Sequence, residues 1–330
     1  MNTPLDKNHL SSLKKNIPYL VLIAGWAIMP AFVRTSFWLH TFIVVFIRCV
    51  GAVGLRTIAL SGNLSFAQAA FIGLSAYVSA YLSKTIGMPV HITIPIATVI
   101  TTVLAIATGF PFVRLRSVYF SMSTLFFGVA IIYALSALPA LGGSNGMNNI
   151  PGLFRRSSML TNYYFFFALA IVSCLIMYRF EFSRIGTTLR ALAQSPDAAA
   201  AMGVNEVYFR LLAVGLGSFF AGLMGSSFAH YNTSLSPSSY GMAVGMVYIM
   251  YVMIGGQDRF IGPIVGTILL YIIPELSRGL SQYAPYVTAA ALILIAYFLP
   301  GGLASLPEAV KTIVTGRKRK RNATEAEGGV

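Results

Sequence analysis

A chain of 330 residues that is 56% hydrophobic and only 10% charged cannot clothe a water-soluble fold, which carries about 25% charged residues. Its mean hydropathy of +0.75 points to lipid as its solvent. The formal charge of +14, from 23 Lys and Arg against 9 Asp and Glu, is the loop bias of a membrane protein rather than a nucleic-acid footprint.

Crossing ~30 Å of hydrocarbon takes about 20 apolar residues, and fewer where neighbouring helices shelter a segment. Apolar runs occur at 17–33, 37–60, 66–82, 90–113, 118–138, 163–178, 208–229, 242–255, 261–273 and 285–299. The expected fold is therefore all-α: a polytopic transmembrane helical bundle of about ten spans with both termini cytoplasmic. Residues 1–16 read as a cytoplasmic N-terminal segment, 17–303 as the transmembrane domain, and 304–330 as a basic cytoplasmic tail without fixed structure. No small-residue cleavage pattern follows Lys7, Lys14 and Lys15, so the first run reads as an uncleaved span.

With Met1 in the cytoplasm, alternating loops place sixteen basic residues on that side, including Lys14, Lys15, Arg114, Arg116 and Arg317–Arg321. Five fall on the other side (Arg34, Lys84, Arg155, Arg156 and Arg278), and Arg48 and Arg56 lie within a span. The stretch 139–162 carries the turn chemistry of a compact external loop in Gly142, Gly143, Asn145, Gly146 and Pro151. The stretch 181–207 is polar enough to be a cytoplasmic element. Within it Ser195 can cap a helix with Pro196 at its first position and Asp197 facing the positive end of the dipole. Residues Ala198 to Met202 favour helix, and Gly203 suits a left-handed terminus. The expected result is a rigid two-turn helix exposing alanine and methionine, either an apolar knob with a partner or a plain connector.

The chain contains no H-E-x-x-H, no G-x-S-x-G and no phosphate loop, so no catalytic residue is assigned. Cys49 and Cys174 sit in apolar runs and suggest neither a disulfide framework nor a metal site. His9, His40, His91 and His230 are scattered and read as hydrogen-bonded or interfacial side chains. None of the nine acids falls clearly at mid-membrane, where an ion-driven carrier keeps a carboxylate. Any driving force is then expected from a partner.

Three features could touch a solute or shape its path. Asn63, Ser65 and Gln68 place polar groups at the start of an apolar run, which reads as a broken helix lining a pathway or as an ordinary loop and cap. Arg48 lies deep in a span at a cost of ~2.5–3.5 kcal/mol and should face the bundle interior, either attracting an anion or satisfied by carbonyls. Arg56, nearer the cytoplasmic end, is expected to snorkel. Small residues four apart, Ala69 to Gly73 and Ala221 to Gly225 to Ala229, suit close helix packing.

Ordered motifs over roughly residues 37–303 resemble one family, the membrane permeases of branched-chain amino-acid ABC importers (the LivM-like group, related to urea and amide permeases). Ser61-Gly62-Asn63-Leu64-Ser65-Phe66-Ala67-Gln68-Ala69-Ala70-Phe71 resembles its G-x-x-S-x-G-H-A-A-F stretch, with Gln68 in place of His. Gly142-Gly143-Ser144-Asn145-Gly146 with Ile150-Pro151 resembles its T-G-G-S-N-G-x-x-x-I-P loop, and Ser183-Arg184-Ile185-Gly186 through Gly203-Val204 resembles its cytoplasmic stretch. Gly262-Pro263 also follows Gly256-Gln257-Asp258-Arg259 where the family has Gly-Leu-Gly-Ser, and Arg48 stands where the family is apolar.

The resemblance implies a multi-pass permease subunit of a bacterial inner membrane, importing branched-chain or other hydrophobic amino acids. Urea or short amides are the alternative solutes, and a stand-alone secondary transporter or channel is the alternative class. The implied partners are two ABC ATPase subunits, a second permease subunit in a heterodimer, an external solute-binding protein and the lipid bilayer, with no nucleic acid. This chain would bind no cofactor or metal, ATP and Mg being held by the ATPases. It also implies that residues 181–207 couple to the ATPase through Arg190, Ser195, Asp197, Ala200, Met202 and Gly203. Arg48, Asn63, Ser65, Gln68, Ser144 and Asn145 are the candidates for the solute pathway.

Overall fold

A computed structural model of the chain describes residues 35–277 apart from 116 and 155–157, together with 25–27, 29, 30, 283, 286, 289, 290 and 293. The expected N-terminal segment, the basic tail and nearly all of the run 285–299 lie outside the described residues. Among the described residues every regular element is helical. The α-helices are α1 (Ser36–Ala59), α2 (Gln68–Lys84), α3 (Val90–Phe112), α4 (Ser117–Ala137), α5 (Met159–Glu181), α6 (Arg184–Gln194), α7 (Pro196–Ala201), α8 (Glu206–Asn232), α9 (Met242–Gly255) and α10 (Gly262–Ser277).

Six described segments are long and apolar enough to cross a bilayer: α1, α3, residues 118–137, α5, α8 and 237–255. The 17-residue α2 and 16-residue α10 are shorter, and at 1.5 Å per residue reach about 25 Å. Both are covered by neighbours, α2 by the longer α8 and α3, and α10 by α9 and the longer α1. Two runs expected to span are therefore sheltered helices below full membrane length. The chain is a multi-pass membrane protein.

Helix α1 is the central column. In its most apolar window 89% is buried, against 22% in α5, because α5, α8, α9 and α10 all pack on α1. Helices α3, α4 and α5 turn Val103, Phe126, Tyr133 and Val172 outward, a surface suited to hydrocarbon and ruinous in water. The first expected span begins to appear at residues 25–27 and 29–30, which are helical. There Trp26 meets Phe42 edge-on at 5.1 Å and its carbonyl accepts from the Tyr163 hydroxyl at 2.6 Å.

Without a hydrophobic driving force between helices in lipid, close backbone approach must supply the attraction. Helix α8 does this with the stripe read from the sequence, Ala221, Gly225 and Ala229, all buried. A Cβ at Gly225 would collide with the backbone of Ile72 in α2, so glycine is what allows these two helices to touch.

The helices alternate in direction, and their contacts define two ends. At the basic end, Gly62 lies against Ala193, the Ser121 hydroxyl donates to Leu64 O at 2.8 Å, and Phe260 meets Tyr178 at 5.3 Å. At the opposite end the loop after α4 pairs with the segment after α8 through Met147 and Leu235, and Lys84 donates to Asn148 O at 2.7 Å. His230 fastens this end. Its Nδ1 donates to the Pro151 carbonyl at 2.7 Å, and its Nε2 accepts from the Ser79 hydroxyl at 2.8 Å. Because a carbonyl can only accept, Nδ1 carries the proton in the neutral ring. A His230→Ala change strands these partners and is expected to cost ~1–3 kcal/mol, lowering the melting midpoint in detergent by several degrees; an unchanged midpoint would remove His230 as the fastener.

Candidate functional site

The most developed surface feature is built by residues 181–207 at the basic end, which hold two helices rather than the one expected. Ser183 caps α6 by accepting from Gly186 N at 3.5 Å, and Gly186, Leu189 and Leu192 form its buried face. That i, i+3, i+6 spacing is the signal the sequence offered for the extra helix.

Helix α7 follows directly and has the caps expected of it. Ser195 Oγ accepts from Ala198 N at 3.4 Å, and Pro196 opens the helix. At the far end Val204 N donates to Ala199 O at 3.1 Å and Gly203 N to Ala200 O at 2.9 Å. This pair of bonds is a Schellman closure, with Gly203 at φ +81° supplying the left-handed residue. Asp197, Ala200 and Met202 are all exposed, Met202 by 85%. Between α6 and α7 runs an open groove of about 660 Å³, lined by Phe182, Thr187, Ala191, Ala198 and Met202 among others.

Arg190 is placed differently from the rest of the coupling set. Its Nη2 turns back and donates to Glu181 O at 2.9 Å and to Glu181 Oε1 at 3.2 Å. Glu181, the last residue of α5, also receives both guanidinium nitrogens of Arg56, Nη2 at 2.9 Å. Its side chain is 5% exposed and that of Arg56 only 2%. The expectation that Arg56 snorkels is thus corrected: α5 and α6 cover the end of α1, and a buried carboxylate neutralises the arginine. One carboxylate consequently ties α1, α5 and α6 together, and Phe260, from the loop between α9 and α10, stacks against Arg56 at 5.9 Å.

The pathway candidates divide between three places. Asn63 and Gln68 are buried, 1% and 0% exposed, with Ser65 between them, on a segment that leads from the basic end inward until Gln68 lies beside Gly51 of α1 and Gly217 of α8. Gln68 Nε2 donates to Gly51 O at 3.0 Å, joining α2 to α1, while its Oε1 and both polar atoms of Asn63 have no partner among the described residues. Ser144 and Asn145 are exposed in a 3-10 turn at the opposite end, the full length of α2 away. Arg48 lies halfway along α1. Its Nη1 donates to the Tyr251 hydroxyl at 3.1 Å, and its guanidinium covers the Tyr271 ring at 4.8 Å. Among the described residues, a tyrosine hydroxyl and a tyrosine ring, not backbone carbonyls, are its partners. Sequence reasoning had no means of finding Tyr251, which stands 203 positions away.

Among the described residues, no group of three or more His, Cys, Asp and Glu could hold a metal ion. The thiols of Cys49 and Cys174 are free, with Cys49 buried.

A family model described as the branched-chain amino acid transport system permease component matches residues 37–300. The LivM permease protein of Salmonella typhimurium is 25% identical, over 92% of this chain and 77% of its own length. LivM of Escherichia coli is 26% identical, over 87% of this chain and 73% of its own. The galactose/methyl galactoside import permease protein MglC of Haemophilus influenzae is 25% identical, over 88% of this chain and 96% of its own. No solved structure matches the chain. With a helical bundle matched across residues 37–300, the chain belongs to the family of branched-chain amino acid transport permease components.

Proposed function

We propose that this chain is the membrane-spanning permease subunit of an ABC importer, driven by ATP hydrolysis in partner subunits and moving a branched-chain or other hydrophobic amino acid inward. The observation that carries the coupling is α7: a doubly capped helix with an exposed Ala200 and Met202 beside an open apolar groove. An exposed apolar patch of this kind on a rigid support marks a protein contact. The contact assigned here is an ATPase subunit. The basic end, with Arg184, Arg190, Arg210 and Arg259, faces the cytoplasm by the positive-inside rule, where ATP is available.

In this reading ATPase closure pushes on α7, α6 moves with it, and Glu181 carries the displacement into α1 and α5 at once. Packed helices have discrete arrangements rather than a continuous range, so the push selects between outward and inward states. A second permease completes the solute path, and an external binding protein delivers the solute to the end bearing Ser144 and Asn145. The amino-acid solute is supported by the LivM relatives. A neutral sugar is the second reading, favoured by the MglC relative.

The test is reconstitution. Liposomes holding this chain alone are expected to show no solute flux, whereas the complete complex with enclosed ATP accumulates solute. Flux through the isolated chain would make it a stand-alone carrier or channel and end the importer reading.

A further inference from the structure

We infer that Arg48, held by Tyr251 and Tyr271, receives the carboxylate of the transported solute at mid-depth in the bundle. The inference rests on the amino-acid importer reading above and narrows it to carboxylate-bearing solutes.

The first support is charge. Among the described residues no carboxylate lies within 4.0 Å of the Arg48 guanidinium, since the ion pairs there are Arg56–Glu181, Arg190–Glu181 and Arg210–Glu206. All three sit at the basic end, where Asp197 and Asp258 are also found, exposed. The remaining described acid, Glu275, stands one turn beyond Tyr271 and makes no ion pair with Arg48. Among the described residues the Arg48 guanidinium is therefore held by neutral groups alone, on a residue about 17 Å along the axis from either end of a central helix.

The second is hydrogen bonding. Of the five N–H donors of a guanidinium, one is committed to a described residue, Tyr251. The ring of Tyr271 steadies the cation without consuming a donor. That leaves a planar fork, the geometry that takes a carboxylate through two parallel bonds.

The third is place. Arg48 stands between α1 and the α9–α10 pair, halfway through the bundle, the depth at which transporters bind their cargo. Its tyrosine partner begins a series. Tyr251 meets Tyr248 at 5.5 Å, and Tyr240, in the segment leading into α9, faces Tyr77 at 6.5 Å. The hydroxyls of Tyr240 and Tyr77 are buried without partners among the described residues. Buried polar atoms of this sort await a water or a ligand. The series leads from Arg48 toward the end that meets incoming solute. A neutral sugar would need none of this charge. A hydrophobic amino acid supplies the missing carboxylate and leaves its side chain to the aromatic surroundings.

The experiment uses proteoliposomes of the complete complex with enclosed ATP and external binding protein saturated with solute. The probes are labelled L-leucine, L-isoleucine, L-valine and L-phenylalanine, with labelled D-galactose beside them. The binding protein is a separate chain, so its selectivity is the same for every permease variant. Arg48→Leu is expected to cut amino-acid uptake at least tenfold with subunit composition unchanged. Tyr251→Phe, which removes one oxygen, is expected to cut it a fewfold. Uptake within twofold of wild type in both variants overturns the proposal while leaving the importer reading intact. An Arg48→Leu complex that loses its second permease also overturns it, by assigning the carboxylate to a side chain of that partner. Wild-type complex that carries D-galactose or none of the amino acids removes the amino-acid reading itself, and the proposal with it.

Discussion

Glu181→Ala is expected to be the most damaging single substitution in the described residues. It leaves Arg56, 2% exposed, as an uncompensated charge against the side of α5. Removing one partner of a buried pair costs ~3–5 kcal/mol, most of it the desolvation of the survivor. Arg190 loses its bond to Glu181 Oε1 in the same step, though its bond to Glu181 O persists. The expected result is a lower melting midpoint of the purified complex together with ATP hydrolysis no longer coupled to uptake. Two controls separate stability from coupling. Glu181→Gln keeps an acceptor oxygen and should fall between wild type and alanine. The double change Arg56→Leu with Glu181→Leu buries no charge and should recover stability, but it still lacks the tie to α6 and should remain uncoupled. Full transport by the double variant would show that Glu181 only neutralises Arg56 and transmits nothing.

How far that joint could be read in advance shows what a sequence discloses. Hydropathy marks helices wherever lipid is the solvent, which is why 37–60, 90–113 and 208–229 reappear as α1, α3 and α8 within a few residues. Capping is equally local. Ser195, Pro196 and Gly203 announce α7 because each acts on backbone groups within four positions. Helix α6 was less visible, its apolar face amounting to Gly186, Leu189 and Leu192 within an otherwise polar stretch.

What could not be read is pairing at a distance. Arg56 and Glu181 stand 125 positions apart, and each alone looks like a charge at a helix end with water in reach. Only the covering of that end by α5 and α6 turns two surface charges into one buried bond. The same limit applied to Arg48, whose depth followed from its span and whose tyrosine partners did not. It applied also to Asn63 and Gln68. Their polarity at the mouth of an apolar run was plain, yet only packing reveals that Gln68 joins α2 to α1 while the Asn63 amide has no partner among the described residues.

Ala200→Glu is expected to abolish association with the ATPase while sparing the permease. The site is exposed, and glutamate is nearly as good a helix former as most residues, so the fold should feel no more than about 0.5 kcal/mol. The contact is another matter. Closing a protein surface over Ala200 and Met202 would bury the new carboxylate; Arg190 is engaged with Glu181, and Arg184, which lines the same groove, would offset only part of the cost of desolvating it. An unpaired charge buried at an interface costs 2–5 kcal/mol or more, a loss of roughly 30-fold to several-thousandfold in affinity. Co-purification of the ATPase from detergent extracts should accordingly fail while the variant's expression and melting midpoint match wild type. Ala200→Ser, which adds one hydroxyl and no charge, should retain the complex. Should the glutamate variant retain its ATPase and its uptake, the docking surface would have to lie elsewhere. The groove between α6 and α7 would be the next place to look, because Phe182, Ala191 and Ala198 give it an apolar lining.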